Sequence, residues 1–347
     1  MSALAAAQQA AGRTWDFLLH EADAGFPDAR HEMTFAHAQG FSGSTERQGS
    51  DLFARAVIGG VLMDLAEVDR EHTAAAMHLA AREADHLAGG RVSDRAGGWS
   101  YFPGLPELPP DLDSLAAASA LFARVAPQHL ACCEGPIDLA LSQRRVDGAI
   151  DTWLVAPSDP PQAQAVMRRA IELCWGNTLD IDVLARFYRA LLRLDPARAD
   201  AAEAAEAGTR LVEAAQRADG AWQGTWYAGP YYGTSLCVEL LTAAHTAPGA
   251  VARACDFARR ALAEPALSPV NTALCLWTLH VAGESAAAHE PAIGRLAAAQ
   301  ADDGSWPEEP WIEMSMGRAR GRVTKVLTWG SRSVASAICL RALAAAA

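Results

Sequence analysis

The chain has a single lysine, Lys325, among its 347 residues. Schiff-base chemistry and the P-loop both need a placed lysine, and neither has a candidate here. Alternating runs of Val, Ile and Thr are almost absent, so no sheet of any size is expected. No apolar stretch reaches the roughly 18 residues of a membrane span, and no apolar signal segment opens the chain. The expectation is a soluble, cytoplasmic protein, with a shallow membrane-dipping face as the one membrane contact that this test passes over. There is no HExxH, no Cys/His cluster with zinc spacing and no GxSxG. His31 and His37 flank Glu32 without a partner motif. Neither a metal nor a cofactor is expected. Positive charge is short as well: the formal net charge is −12, with no basic patch for phosphates, which argues against a nucleic-acid partner.

What is present is apolar and helix-forming. Hydrophobic residues make up 51% of the chain and aromatics only 7%, so a sizeable core must be built from closely packed, alanine-rich helices. The seven cysteines (132, 133, 174, 237, 255, 275 and 339) form no CxxC pair, and most sit inside apolar runs, as reduced core cysteines do. Apolar residues at three-and-four spacing predict about twelve helices, over 2–20, 50–68, 71–88, 111–125, 162–174, 179–194, 198–217, 232–246, 250–263, 268–281, 286–300 and 330–345. No linker or shift in composition divides them, so residues 1–347 read as one domain.

Repeats give these helices an order. Gln216-Arg-Ala-Asp219-Gly220-Ala-Trp222 and Gln300-Ala-Asp-Asp303-Gly304-Ser-Trp306 are two copies of Q-x-x-D-G-x-W. A degraded copy runs from Gln143 through Asp147-Gly148 to Trp153, and Gly98-Trp99 keeps only the end. Asp-Gly makes a tight turn with positive φ at the glycine, and Gln and Trp can tie that turn to a neighbouring unit. Helix pairs repeated in this way stack their apolar faces on one another.

The repeat, followed by a Tyr-Gly-Thr or Gly-Ser helix start, resembles the QW repeat of the squalene–hopene cyclase and prenyltransferase superfamily. Gly97-Gly98-Trp99 through Asp111-Leu112-Asp113-Ser114 is similar to the G-G-[FW]…P-D-x-D-D-T segment that carries the catalytic acid of class II terpene cyclases. Trp329-Gly-Ser-Arg-Ser near the end is also typical of them. The resemblance covers most of residues 90–345 and implies an all-α fold, an (α/α)₆ barrel with six inner helices parallel inside six outer ones. Alternate predicted helices then begin near 51, 111, 179, 232, 269 and 331, with all six N-termini at one mouth.

The resemblance places Asp113 at the proton donor of D-x-D-D and Asp111 at the first carboxylate, while Ser114 stands where the last Asp belongs. The bare residues also read as ordinary helix caps, each stabilising a helix end by about 1 kcal/mol. Asp180 and Asp182 repeat the spacing at the next inner helix, as caps or as a second polar pair. Trp99, Tyr101, Phe102, Trp226, Tyr231, Tyr232 and Trp329 are the expected pocket lining, since a carbocation needs π faces around it. Segments 21–50 and 307–328 are long enough to act as lids. Arg318, Arg320 and Arg322 of the second would hold a diphosphate or carboxylate, or simply be solvated. No DDxxD motif and no zinc-binding Asp/Cys/His set is present.

Two functions are therefore expected side by side. One is a metal-independent, protonation-initiated terpene or meroterpenoid cyclase acting on an apolar, isoprenoid-like substrate. The other is a non-catalytic barrel that holds an isoprenoid or polyketide beside a partner enzyme, which Ser114 and the lack of a second helical domain favour. A homodimer would supply the wall that larger cyclases draw from that second domain.

Overall fold

Six helices buried on most of their faces form the inner ring: α2 (Leu52–Val68), α4 (Leu112–Val125), α7 (Ile181–Arg193), α9 (Tyr231–Ala243), α11 (Pro269–Val281) and α13 (Arg332–Ala344). In α9 every residue from Tyr232 to Leu241 is buried, as expected of a helix with neighbours on all sides. α2 packs on α4, α4 on α7, α7 on α9, α9 on α11, α11 on α13, and α13 returns to α2, which closes the ring. The structure, a computed structural model, describes residues 2–35, 41, 47–194 and 198–346, apart from the side chains of 287 and 320.

Outside the ring lie α1 (Ala3–Asp23), α3 (Thr73–Gly89), α5 (Ala131–Ser142), α8 (Ala199–Ala214), α10 (Pro248–Leu262) and α12 (Glu290–Ala298). These bury one stripe only. In α8 it runs through Ala201, Ala204, Ala205, Gly208 and Val212, while the acidic residues between them face solvent. The molecule is an all-α toroid, and its inner helices start within two residues of the positions read from periodicity.

The sequence reading missed α5, because Pro136 lies inside it and proline argues against a helix interior. α5 takes the outer place between α4 and α7. The predicted helix over 162–174 is an additional one, α6 (Pro161–Cys174), which packs on the turn at Arg318–Arg320. Two short antiparallel ribbons also appear, within or overlapping the segments expected as lids. One pairs β1 (His31–Met33) with β2 (Gln48–Ser50), the other β3 (Ile312–Met316) with β4 (Lys325–Trp329).

The repeat turns hold neighbouring helix pairs together. Gln300 Nε2 donates to the Gly304 carbonyl in its own turn and to the Ala10 carbonyl of α1, at 2.9 and 2.8 Å. Gln216 Nε2 does the same to Gly220 and to Ala250 of α10, both at 2.8 Å. The indoles of Trp222 and Trp306 donate back to the Val212 and Leu296 carbonyls of the preceding helices. All seven cysteines are free, and only Cys132 is not fully buried. Among the described residues no helix is long and apolar enough to cross a membrane.

Candidate active site

The loop before α4 is shaped by a buried arginine. Arg95 donates from its guanidinium to the carbonyls of Pro103, Leu105 and Leu108, which satisfies backbone groups that a proline-rich loop cannot pair internally. The chain then enters α4 through Asp111, whose backbone N–H donates to the Trp99 carbonyl at 2.8 Å. Asp111 is the N-cap. Its Oδ1 accepts from the Ser114 N–H at 2.7 Å and its Oδ2 from the Ser114 hydroxyl at 2.9 Å. Ser114 thus serves Asp111. Burial, with help from the charge of Asp113, pushes the Asp111 carboxyl up to about 7 against these hydrogen bonds.

Asp113, in the first turn of the helix, does not cap. Its side chain points across the barrel and is 6% exposed as a residue. Oδ2 accepts a short hydrogen bond from the Tyr227 hydroxyl. Oδ1 lies 2.7 Å from Arg186 Nε of α7, an ion pair in which neither atom has an aligned hydrogen-bond partner. Arg186 in turn donates to the hydroxyls of Tyr227 and Tyr232, at 3.1 and 2.9 Å, and its guanidinium lies 5.5 Å from the Phe53 ring centre. Burial raises the Asp113 carboxyl above the ordinary range, although Arg186 and Tyr227 both pull it down.

Asp113 opens on a pocket lined by Phe53, Tyr101, Leu108, Trp153, Trp226, Tyr227, Ile312 and Met314 with Asp111 and Thr152. The ribbon closes one side of it. Glu313 N–H donates to the Trp226 carbonyl, and Ala228 N–H to that of Trp311, so β3 clamps the aromatic segment 226–228. Trp153, Trp175 and Trp226 form a cluster with ring centres 4.9 to 6.1 Å apart.

The second acidic pair supports this wall from behind. Asp180 accepts from Trp226 Nε1, Thr152 and Thr178. Asp182 Oδ2 accepts from the N–H groups of Thr225 and Trp226, while Oδ1 is buried without a partner. Burial, then Asp180 and Asp113, lift Asp182 to about 7.

The other expected residues divide. Tyr101 and Trp226 line the pocket with Asp111 and Asp113. Tyr232 sits behind them on Arg186. Trp99 lies away from the pocket, with its indole N–H on the Leu87 carbonyl in a repeat-type staple. Phe102 is fully buried against Tyr101, His31 and Phe35, and Tyr231 turns outward onto Phe257. Trp329 stacks on His31, which burial pushes down to about 4 and whose Nδ1 meets the Tyr101 hydroxyl at 3.0 Å. His37 lies outside the described residues. Arg318 is not a solvated lid residue: its guanidinium covers Trp226 at 4.4 Å and lies 3.6 Å from Asp180, whereas Arg322 is exposed. Sequence reasoning missed Arg186. Its one signal is an arginine four residues after Asp182, on the helix face that also carries Arg189 and Arg193.

No protein-family model and no curated protein sequence matches the chain. Solved structures do. The chain is similar to the type II terpene cyclase MstE from Scytonema, with a TM-score of 0.69 and 18% identity over 98% of both chains. A structure of an MstE variant holds geranylgeranyl dihydroxybenzoate as its substrate. A protein from Actinoplanes gives a TM-score of 0.70 and 22% identity, over 98% of this chain and 99% of that one. The ent-copalyl diphosphate synthase from Streptomyces platensis gives 0.55 and 23%, over 85% of this chain and 50% of that one. At these identities the likeness speaks for architecture, and the architecture is a terpene cyclase-like fold.

Proposed function

We propose that the protein is a protonation-initiated cyclase that acts on an apolar polyene, with a prenylated aromatic acid or another meroterpenoid precursor as the substrate class. The observation that carries this is the setting of Asp113: a buried carboxyl that caps nothing, aimed into an aromatic pocket and held by a tyrosine and an arginine. Protonating an alkene demands a strong acid that stays protonated until it is used. Burial supplies the second property, and Arg186 with Tyr227 supplies the first by stabilising the carboxylate left behind. Asp113 gives up its carboxyl proton to the alkene. The alkene π electrons form the new C–H bond, later alkenes attack the cation in turn, and loss of a proton ends the sequence. Phe53, Tyr101, Trp153, Trp226 and Tyr227 present ring faces to these cations.

Asp111 supports the acid as a neighbouring carboxyl, itself near-neutral. The two ribbons act as lids that keep water, the competing nucleophile, away from the cation. The substrate held by the MstE variant is of the proposed class, which supports the reading.

The test is incubation with farnesyl and geranylgeranyl diphosphates, squalene and prenylated dihydroxybenzoates in EDTA, with products read by mass spectrometry. A cyclic isomer made by the wild type and absent with Asp113→Asn is the expected result. If nothing turns over while the same compounds bind, the protein is a binding barrel.

A further inference from the structure

Beyond the Asp113–Arg186 pair the barrel axis holds a second, narrow cavity. Its walls are hollow because α2, α4 and α7 place small residues there, among them Ala56, Gly60, Ala117, Ala120 and Ala190. Its polar groups are unbalanced. Five arginines line it (Arg124, Arg186, Arg189, Arg193 and Arg341) with two carboxylates, Asp64 and Glu239; Arg186 is further paired with Asp113 and Arg124 with Glu67, which leaves Arg193 as the lining arginine with no ion pair among the described residues.

The carboxylates are already committed. Asp64 accepts from Arg124 at 2.8 Å and from Arg341 at 2.7 Å. Glu239 accepts from Arg189 and from the Trp277 indole. Donors are left over. The Nε atoms of Arg189 and Arg341 and the hydroxyl of Ser235 are buried without a partner, and Arg341 and Ser235 are only 5% and 2% exposed. Burial, Arg189 and Arg124 together push the Arg193 guanidinium down, a sign of crowded like charge. Unpaired buried donors beside an arginine without an ion pair cost free energy in an empty cavity and bind an oxyanion in a filled one.

We infer that this cavity is a binding site for the carboxylate or phosphate head of an amphiphilic ligand, whose apolar body lies along the alanine-lined wall. Arg186 belongs to both cavities, so a ligand seated this way directs its apolar end past Arg186 toward Asp113. That orientation rests on the cyclase reading, whereas the anion site does not.

Saturated probes separate the two, since they hold no alkene to protonate. Binding of dodecanoate, dodecyl phosphate and dodecanol is measured by titration calorimetry on the intact protein. The expected result is that at least one of the two anions binds ten-fold or more tighter than the alcohol, and which of them is favoured identifies the head group. Arg193→Gln, at the exposed rim, is expected to cut that preference at least three-fold, and Ser235→Ala to cut it in the same direction. Arg210→Gln, on the outer surface, is expected to leave it unchanged. Equal binding of alcohol and anions would overturn the site, as would a preference that survives Arg193→Gln and Ser235→Ala in proteins that melt like the wild type. A positive result without any cyclised product would leave the anion site standing and sink the cyclase reading alone.

Discussion

Asp113 and Arg186 meet across the barrel as an ion pair, Oδ1 to Nε 2.7 Å, without the alignment of a hydrogen bond. The arginine reaches this position from α7 and is fixed by the hydroxyls of Tyr227 and Tyr232 rather than by the carboxylate alone. A cation this close lowers the cost of the anion. Burial and Arg186 thus act in opposite directions on the same carboxyl, and burial prevails.

Arg186→Met removes the cation and keeps much of the packing. The Asp113 carboxyl then rises further, so it stays protonated to higher pH but becomes a weaker acid. In a turnover assay the alkaline limb of kcat/KM is expected to move to higher pH while the plateau falls by roughly 10²-fold or more, the scale of general-acid effects. A loss of rate with the limb unmoved would assign Arg186 to packing. Melting curves accompany the assay, since breaking a buried pair can itself destabilise by about 3–5 kcal/mol.

The ring was legible in the sequence because its signals are local. Helical periodicity and the D-G-x-W turns recur along the chain, and each turn is satisfied by groups one helix away. The site was half legible. Asp111, Asp113, Tyr101 and Trp226 sit beside glycine and proline breaks that mark loops, whereas Arg186 is joined to Asp113 only by closure of the barrel. Trp99 and Tyr231 misled for the complementary reason. Both lie close in sequence to pocket residues, but the loop turns Trp99 onto an α3 carbonyl and the start of α9 turns Tyr231 onto Phe257. Pro136 hid α5 because the penalty that proline carries in a helix interior is outweighed here by tertiary packing.

The acidic pairs should make stability fall as pH rises. Asp182 sits near 7 in the folded protein and near the ordinary carboxylate value of about 4 when unfolded. Between these values the folded state binds the extra proton, so raising pH through this window removes stability, and above about pH 7 the loss is complete. A lift of that size corresponds to roughly 4 kcal/mol. Asp51 and Asp64, held down near 2 by their cation partners, act with the opposite sign and only below about pH 4. Asp182→Asn still accepts from the 225 and 226 amides, so it is expected to melt several degrees higher than wild type at pH 8 and at the same temperature at pH 5. A variant that melts lower at both values would show that the charged form is the native one.

The repeat turn makes a sharper claim about one atom. Gly304 has φ +85°, and a Cβ there would sit 2.3 Å from the Arg13 carbonyl oxygen of α1, where the last turn meets the first helix and closes the outer ring. Alanine at this position must adopt a left-handed conformation and also push α1 away. Gly304→Ala is therefore expected to destabilise by at least about 2 kcal/mol in urea unfolding. Gly12, in the same α1, has nothing within 4 Å of its added Cβ. It lies in the helix interior, so Gly12→Ala is expected to stabilise by about 0.5–1 kcal/mol through the smaller backbone entropy of the unfolded chain. The two changes are chemically identical and differ only in what the new methyl meets. Opposite signs would locate ring closure at the Gly304–Arg13 contact. Equal, small effects would mean that α1 is held by its apolar stripe on α13 and that the turn merely touches it.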